Sequence, residues 1–237
     1  VAPVMRGYVP SAQPADGDYH AVRMAEDVAA WIETLGGRAH IVGHDWGATI
    51  GFAAAALVPD RIASLVAIAV PHPRRFAEAW AASPEQQARS AYIMTFQSPD
   101  AEAMVAADDC AFLDRLWRTW SPGWAIPAGE LAAMHRIFER PGVLTAALGW
   151  YRQPFDAGSA AGQATAALFA DPFHVPVLGI AGEDDGCIAA DIFAAAMPAG
   201  DFPMGLRVER IAGAGHFVHR EAPDTVNALL IEWLRSH

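Results

Sequence analysis

The stretch IVGHDWGATIG, residues 41–51, decides the fold. It joins an apolar run, GRAHIVGHD (37–45), to WGATIGFAAAALVPDR (46–61), a helix-forming segment stopped near Pro59. A strand that turns at once into a helix, with Gly43 and Gly47 two positions to either side of the apex residue, is the pattern of a nucleophile elbow. The backbone of such a turn is strained and crowded, so small residues are expected on both sides. The residue at its apex is Asp45, where serine or cysteine is commoner. A carboxylate at a helix N-terminus lies in a favourable dipole field and stays ionised. The competing role for it is a plain helix N-cap.

The segments on either side supply the rest of a sheet. ASLVAIAVP (63–71), VPVLGIAG (175–182) and, more weakly, LRVERIAGAG (206–215) are short runs of apolar character. Continuous runs of this kind fit strands buried on both faces of a parallel sheet. AVRMAEDVAAWIETLGG (21–37) repeats apolar residues at helical spacing (Val22, Ala25, Val28, Ala29, Ile32, Leu35) and ends in two glycines. APDTVNALLIEWLRS (222–236) has the same period. The expected fold is therefore α/β, a mostly parallel sheet flanked by helices. From Pro71 to about Asp171 the strand runs stop, prolines at 84, 99, 122, 127, 141 and 154 divide short helical segments, and five of the eight tryptophans cluster. The expected organisation is a core at 1–71, a helical cap inserted at 72–172, and the remaining core at 173–237.

Composition narrows the function. The net charge of −11 argues against nucleic acid, which needs clustered Lys and Arg to neutralise phosphates. Cys110 and Cys187 are too few for a disulfide scaffold and sit in no metal-binding spacing, which fits a reducing, cytoplasmic setting. No uncharged apolar run reaches the ~18 residues of a membrane span.

Two further segments complete a constellation. GEDDG (182–186) follows one apolar run and places a carboxylate at the end of a strand, facing the same crevice as the elbow. AGAGHFVHREAP (212–223) places His216 after a glycine-rich loop, just before the last helix. The chain order Asp45, acid, His216 is the order nucleophile, acid, histidine. His216 and His219 form a His-x-x-His pair with no further ligands at matched spacing, so neither a metal nor another cofactor is expected.

GHDWG, GEDDG and GAGHFVHREAPD together resemble the α/β-hydrolase-fold epoxide hydrolases, with the haloalkane dehalogenases close to them. The resemblance runs over most of the chain. RGYVPS (6–11) is similar to a family segment Arg-Gly-Tyr-Gly-x-Ser, with Val9 where glycine is usual. SAYIMTFQSPDAE (90–102) and GWYRQ (149–153) are similar to the cap segments that carry two epoxide-polarising tyrosines, which makes Tyr92 and Tyr151 the expected pair. The family acid stands three residues after the glycine, which selects Asp185 over Asp184. The resemblance implies hydrolysis of a small hydrophobic epoxide by water to a vicinal diol, through an ester on Asp45, with the Trp46 backbone N–H in the oxyanion hole.

An aspartate suits that chemistry. Attack by serine on a saturated carbon would leave an ether, whereas attack by aspartate leaves an ester that water can cleave. A carboxylate with a pKa near ~4 is already anionic at neutral pH and needs no base for the first step. A haloalkane or haloacid dehalogenase would use the same Asp45, Asp185 and His216, with the Trp46 indole binding halide. A non-catalytic binding protein of the same fold would have no need of the intact triad. The family's His-Gly-x-Pro segment has no counterpart, since no His-Gly pair occurs, and about four strands are visible where the family has eight. The expectation is that an N-terminal portion, the first few strands, is absent from this sequence or lies in a separate segment, the alternative being a truncated, catalytically crippled relative; a homodimer is the other partner considered.

Overall fold

The computed structural model describes residues 1–237. Four strands, β1 (Ala39–His44), β2 (Ile62–Ile68), β3 (Val177–Gly182) and β4 (Leu206–Ile211), form one sheet in the order β1-β2-β3-β4, with every pair parallel. Two strands are shorter than the apolar runs that announce them. β2 stops at Ile68 because Ala69 takes a left-handed conformation (φ 65°), and the run after β4 turns away at Gly213 (φ 73°). Neither conformation can continue a ladder.

All of β2 and all of β3 are buried, as continuous apolar runs predict. Their side chains alternate between two layers. Leu65, Ala67, Val177 and Ala181 face a core built on α1 (Ala21–Thr34) and α2 (Trp46–Leu57), whose Met24, Ile32, Ile50 and Phe52 are buried. Val66, Ile68, Leu178 and Ile180 face the other way, onto Val226 and Trp233. Each large apolar side chain buried here contributes about 1.5–3 kcal/mol. In α2 the alanines at 53, 54 and 55 are fully covered, and these short side chains let the helix axis lie close to the sheet.

Between β2 and β3 the chain is helical: α3 (Pro73–Ala82), α4 (Pro84–Arg89), α5 (Ala91–Phe96), α6 (Ala101–Trp120), α7 (Ala128–Phe138), α8 (Val143–Arg152) and α9 (Ala160–Leu168). α5 to α8 pack on one another around Phe96, Val105, Leu113, Leu131, Met134 and Leu148, a core separate from that of the sheet. Arg152 fastens α8 to the start of α6 through a two-pronged pair with Glu102 (2.7 and 2.9 Å). α6 is broken where Ala107–Cys110 leave helical dihedrals. The first and last of these helices lie against the sheet layer instead, α9 on α1 and α2 and α3 on α10 (Ala190–Ala195). After β4, α11 (Val218–Glu221) and α12 (Pro223–Ser236) complete the chain, and α12 carries Val226 and Trp233. No helix is long and apolar enough to cross a membrane.

The β1–α2 turn follows the sequence pattern with one correction. Asp45 sits at φ 54°, ψ −123°, a conformation that a non-glycine residue adopts only at a cost of order 1–3 kcal/mol. The Asp45 N–H donates to the Ile68 carbonyl (3.0 Å), and the Asp45 carbonyl accepts from Ala48 (2.9 Å), which fixes the corner from both sides. Gly43 is sterically required, because a Cβ there would collide with the Gly47 carbonyl and with the Ala48 nitrogen. Gly47 is not, because a Cβ at that position meets nothing within 4 Å. The turn needs one small residue for contact, and its second glycine opens onto the cavity described below. Gly43→Ala is therefore expected to lower stability in chemical denaturation by about 1–3 kcal/mol, the scale of an overpacked core. Gly47→Ala should leave the denaturation midpoint nearly unchanged, and equal losses for the two variants would contradict this account of the turn.

Candidate active site

Parallel strands end at the same edge of a sheet, so the loops that follow them converge. The loop after β1 carries Asp45, the loop after β3 carries Asp185, and the loop after β4 carries His216. The His216 imidazole lies between the two carboxylates, with Nε2 3.1 Å from Asp45 Oδ2 and Nδ1 3.0 Å from Asp185 Oδ2. Asp185 is buried, and its other oxygen accepts the N–H groups of Cys187 (2.7 Å) and Ile188 (3.1 Å). Asp184 is exposed and takes no part in this contact. The sequence-predicted triad residues are thus brought together, with Asp185 as the acid beside the imidazole.

The charges stabilise one another. Burial opposes ionisation of His216, but the charges and hydrogen bonds of Asp185 and Asp45 outweigh it and raise the imidazole to about 10. Burial also works against the Asp45 carboxylate, yet the hydrogen bond and charge of His216, helped by the Trp46 backbone N–H, bring its pKa down. The cluster is an imidazolium between two carboxylates. Behind it His44 is held neutral, its pKa lowered to about 3 by burial and by the neighbouring histidines. Its Nε2 therefore carries a proton and donates to the His216 carbonyl (3.0 Å).

The histidine loop is clamped by residues with no motif of their own. Glu221 accepts from the Gly215 N–H (2.9 Å) and from the Ser121 hydroxyl (2.6 Å), while Ser121 Oγ accepts from the Phe217 N–H (3.1 Å). The Trp120 carbonyl accepts from both His216 N–H and Gly186 N–H (3.0 Å each), tying the histidine and acid loops to the end of α6. On α4, buried Gln86 donates to the Cys187 carbonyl (2.8 Å) and Arg89 to the Asp185 carbonyl (2.9 Å). Glu221 lies five positions past His216 in AGAGHFVHREAP, and none of these partners carries a signal in the sequence.

Asp45 opens onto a cavity of about 580 Å³ with mostly apolar walls, among them Leu113, Met134, Phe138, Trp150 and Phe217. Tyr151, on α8, lines it, with its ring edge-on to Trp46 at 5.2 Å. Burial and the Asp45 charge hold the Tyr151 phenol well above its ordinary pKa, so it is a proton donor. Tyr92, on α5, packs edge-on against Tyr151, their ring centres 5.8 Å apart, and its hydroxyl lies 3.5 Å from Cys187 Sγ. Burial keeps it protonated too. The cavity wall holds a residue that the sequence reading left without a role, Tyr8.

Asp185, Cys187 and His216 bring three metal-ligating atoms within 4.8 Å of one another. Their donors are already engaged. Both Asp185 oxygens accept hydrogen bonds, Nδ1 of His216 faces one of them, and burial keeps the Cys187 thiol protonated.

The α/β hydrolase fold family matches residues 1–223 of the chain. Epoxide hydrolase A of Mycobacterium tuberculosis is 33% identical over 99% of this chain and 81% of its own length. The AB hydrolase superfamily protein YfhM of Bacillus subtilis is 28% identical, over all of this chain and 80% of its own length. Epoxide hydrolase 2 of Caenorhabditis elegans is 29% identical, and there the chain spans 64% of the relative's length. An epoxide hydrolase from Bacillus megaterium, solved with an inhibitor, superposes with a TM-score of 0.75 over 94% of this chain and 78% of the other at 23% identity, a likeness of fold. The chain therefore belongs to the α/β-hydrolase-fold family, among the hydrolases of epoxide hydrolase type.

Proposed function

We propose that the protein opens small hydrophobic epoxides to vicinal diols through a covalent alkyl ester on Asp45. The observation that carries the reading is the buried imidazole between Asp45 and Asp185 at the floor of an apolar cavity. In the first step an Asp45 oxygen bonds to a ring carbon and the carbon–oxygen bond of the epoxide breaks, its electron pair staying on oxygen. Tyr151 and Tyr92 donate to that oxygen and supply its proton. For this Tyr92 exchanges the Cys187 sulfur, a weak acceptor, for a stronger one.

Ester formation removes the Asp45 charge. One of the two carboxylates that keep His216 protonated is then gone, so the imidazolium gives up its proton, which restores the tyrosine that protonated the epoxide oxygen, and His216 becomes a base. His216, oriented by Asp185, takes a proton from water, and the hydroxide adds to the ester carbon. The Trp46 N–H, already directed at the Asp45 carboxylate, holds the oxyanion. Collapse expels the alkoxide, which takes the proton from His216, and the Asp45 carboxylic acid, now with one oxygen from water, passes its proton to the imidazole, which restores the carboxylate and the imidazolium.

The rival reading, a dehalogenase using the same residues, draws support from the Trp46 indole on the cavity wall. Diol formation against halide release on matched epoxide and halide substrates separates the two reactions.

Asp45→Asn is expected to lower kcat by at least about 10³-fold, the scale of losing a nucleophile. His216→Gln should accumulate an enzyme heavier by the mass of one epoxide, located on the peptide that contains residue 45. In a single turnover in H₂¹⁸O with enzyme in excess, the label should enter Asp45 and be missing from the diol. Label found in the diol would mean direct attack by water and would end the ester scheme.

The raised His216 pKa also makes stability depend on pH. A group whose folded pKa exceeds its unfolded value stabilises fully below the unfolded pKa, near 6.5, and loses that contribution as pH rises through the folded value, about 10. Thermal melts from pH 6 to pH 10.5 should show the wild type losing stability across this window. Asp45→Asn, which lacks one of the two charges, should lose less, and parallel curves for the two proteins would refute the charge assignment.

A further inference from the structure

Tyr8 belongs to RGYVPS, the segment of the sequence to which the reaction gives no task. The chain goes to some length to fix it. Arg6 forms a two-pronged pair with Asp27 on α1 (2.7 Å for each bond) and donates to the Asp18 carbonyl (3.2 Å). Gly7, at φ 91°, lies so close to Ala146 and Tyr19 that a Cβ would stand 2.8 and 2.9 Å from them. Its N–H donates to the Ala12 carbonyl (2.8 Å). The Tyr8 ring is then wedged edge-on against Trp150 at 5.2 Å and Phe138 at 6.3 Å.

This anchored ring lines the same cavity as Asp45, Tyr151 and His216. Its hydroxyl has no hydrogen-bond partner in the protein, whereas Tyr92 has Cys187 and the triad groups have one another. Burial and the nearby Asp45 charge both hold the phenol in its protonated form, so what it offers the cavity is a donor. An epoxide oxygen has two lone pairs, and on the reading above Tyr151 and Tyr92 take both. A further donor on a mostly apolar wall has no acceptor in a simple hydrocarbon epoxide.

We propose that Tyr8 is a specificity residue that donates a hydrogen bond to a second oxygen of the substrate, so that the site prefers epoxides with an ether-type oxygen on the carbon next to the ring, the glycidyl ether class. The inference rests on the epoxide reading of the site. Its physical basis is that a donor held in an apolar wall rejects analogues that leave it unpaired, and a rigid ring spends little entropy in making the bond. Ring, anchor and cavity are all in place before the substrate arrives.

The test is a matched pair of substrates, phenyl glycidyl ether and 4-phenyl-1,2-epoxybutane, which differ only in O against CH₂. The wild type should favour the ether in kcat/KM. Tyr8→Phe keeps the ring and its packing and removes only the hydroxyl; it should lower kcat/KM for the ether about 10-fold, the scale of one hydrogen bond. The loss should fall mainly in KM, with the hydrocarbon epoxide changed less than about 2-fold. Equal losses on both substrates would overturn the assignment in favour of a general role for Tyr8 in ring opening or packing, and no loss on either would show that the hydroxyl touches no substrate oxygen. A wild type that opens neither epoxide would overturn the epoxide reading itself, an outcome distinct from turnover of both without discrimination by Tyr8→Phe.

Discussion

The buried imidazole of His216 between two carboxylates is the interaction on which the site depends. A lone charge at that depth would be prohibitively costly, and a neutral imidazole, with a single N–H, would leave one of the two carboxylates without a donor. With all three groups present, the charges compensate one another, and the remaining Asp185 oxygen is satisfied by two backbone N–H groups. The loops after three different strands must therefore meet within about 3 Å at the edge of the sheet. Everything around them serves that meeting: Gly43 lets α2 approach β1, the Trp120 carbonyl joins two of the loops, and Glu221 with Ser121 grips the backbone on both sides of the histidine.

The same charge balance gives the site its direction. While Asp45 is ionised, His216 is an imidazolium and cannot accept a proton. In the proposed cycle Asp45 becomes an ester, the balance then fails by one negative charge, and the imidazole turns into a base. One residue thus serves the two halves of the proposed cycle without moving, because the substrate's own covalent bond changes its protonation. The apolar cavity strengthens the effect, since charges in a water-poor site interact more strongly.

The helices inserted between β2 and β3 do more than cover the cavity. α8 brings Tyr151 to its wall, α5 packs Tyr92 against Tyr151, and α4 braces the acid loop through Gln86 and Arg89. They have a hydrophobic core of their own around Phe96, Leu113 and Met134, and Trp120, Ala146 and Trp150 join them to the core of the sheet, which together fix the shape of the wall. The N-terminal segment supplies the last part of that wall, Tyr8, held by the Arg6–Asp27 pair.

By itself the sequence determined the sheet, the turn and the triad. Each depends on short-range pattern: apolar runs make buried strands, a glycine beside a strand end makes the Asp45 turn, and strand ends of a parallel sheet share an edge. It went too far at Gly47, because spacing cannot tell a glycine pressed by its neighbours from one facing a cavity. Tertiary structure alone decided how the tyrosines sit around Asp45. Tyr92 places its hydroxyl beside Cys187, and Tyr151 lines the cavity wall beside Tyr8, which is 143 positions away in the chain. The Glu221–Ser121 clamp was equally silent, since its two residues lie 100 positions apart. Local pattern encodes which backbone forms and where chemistry can sit, but the direction a side chain faces is set by packing against partners that only the folded chain brings near.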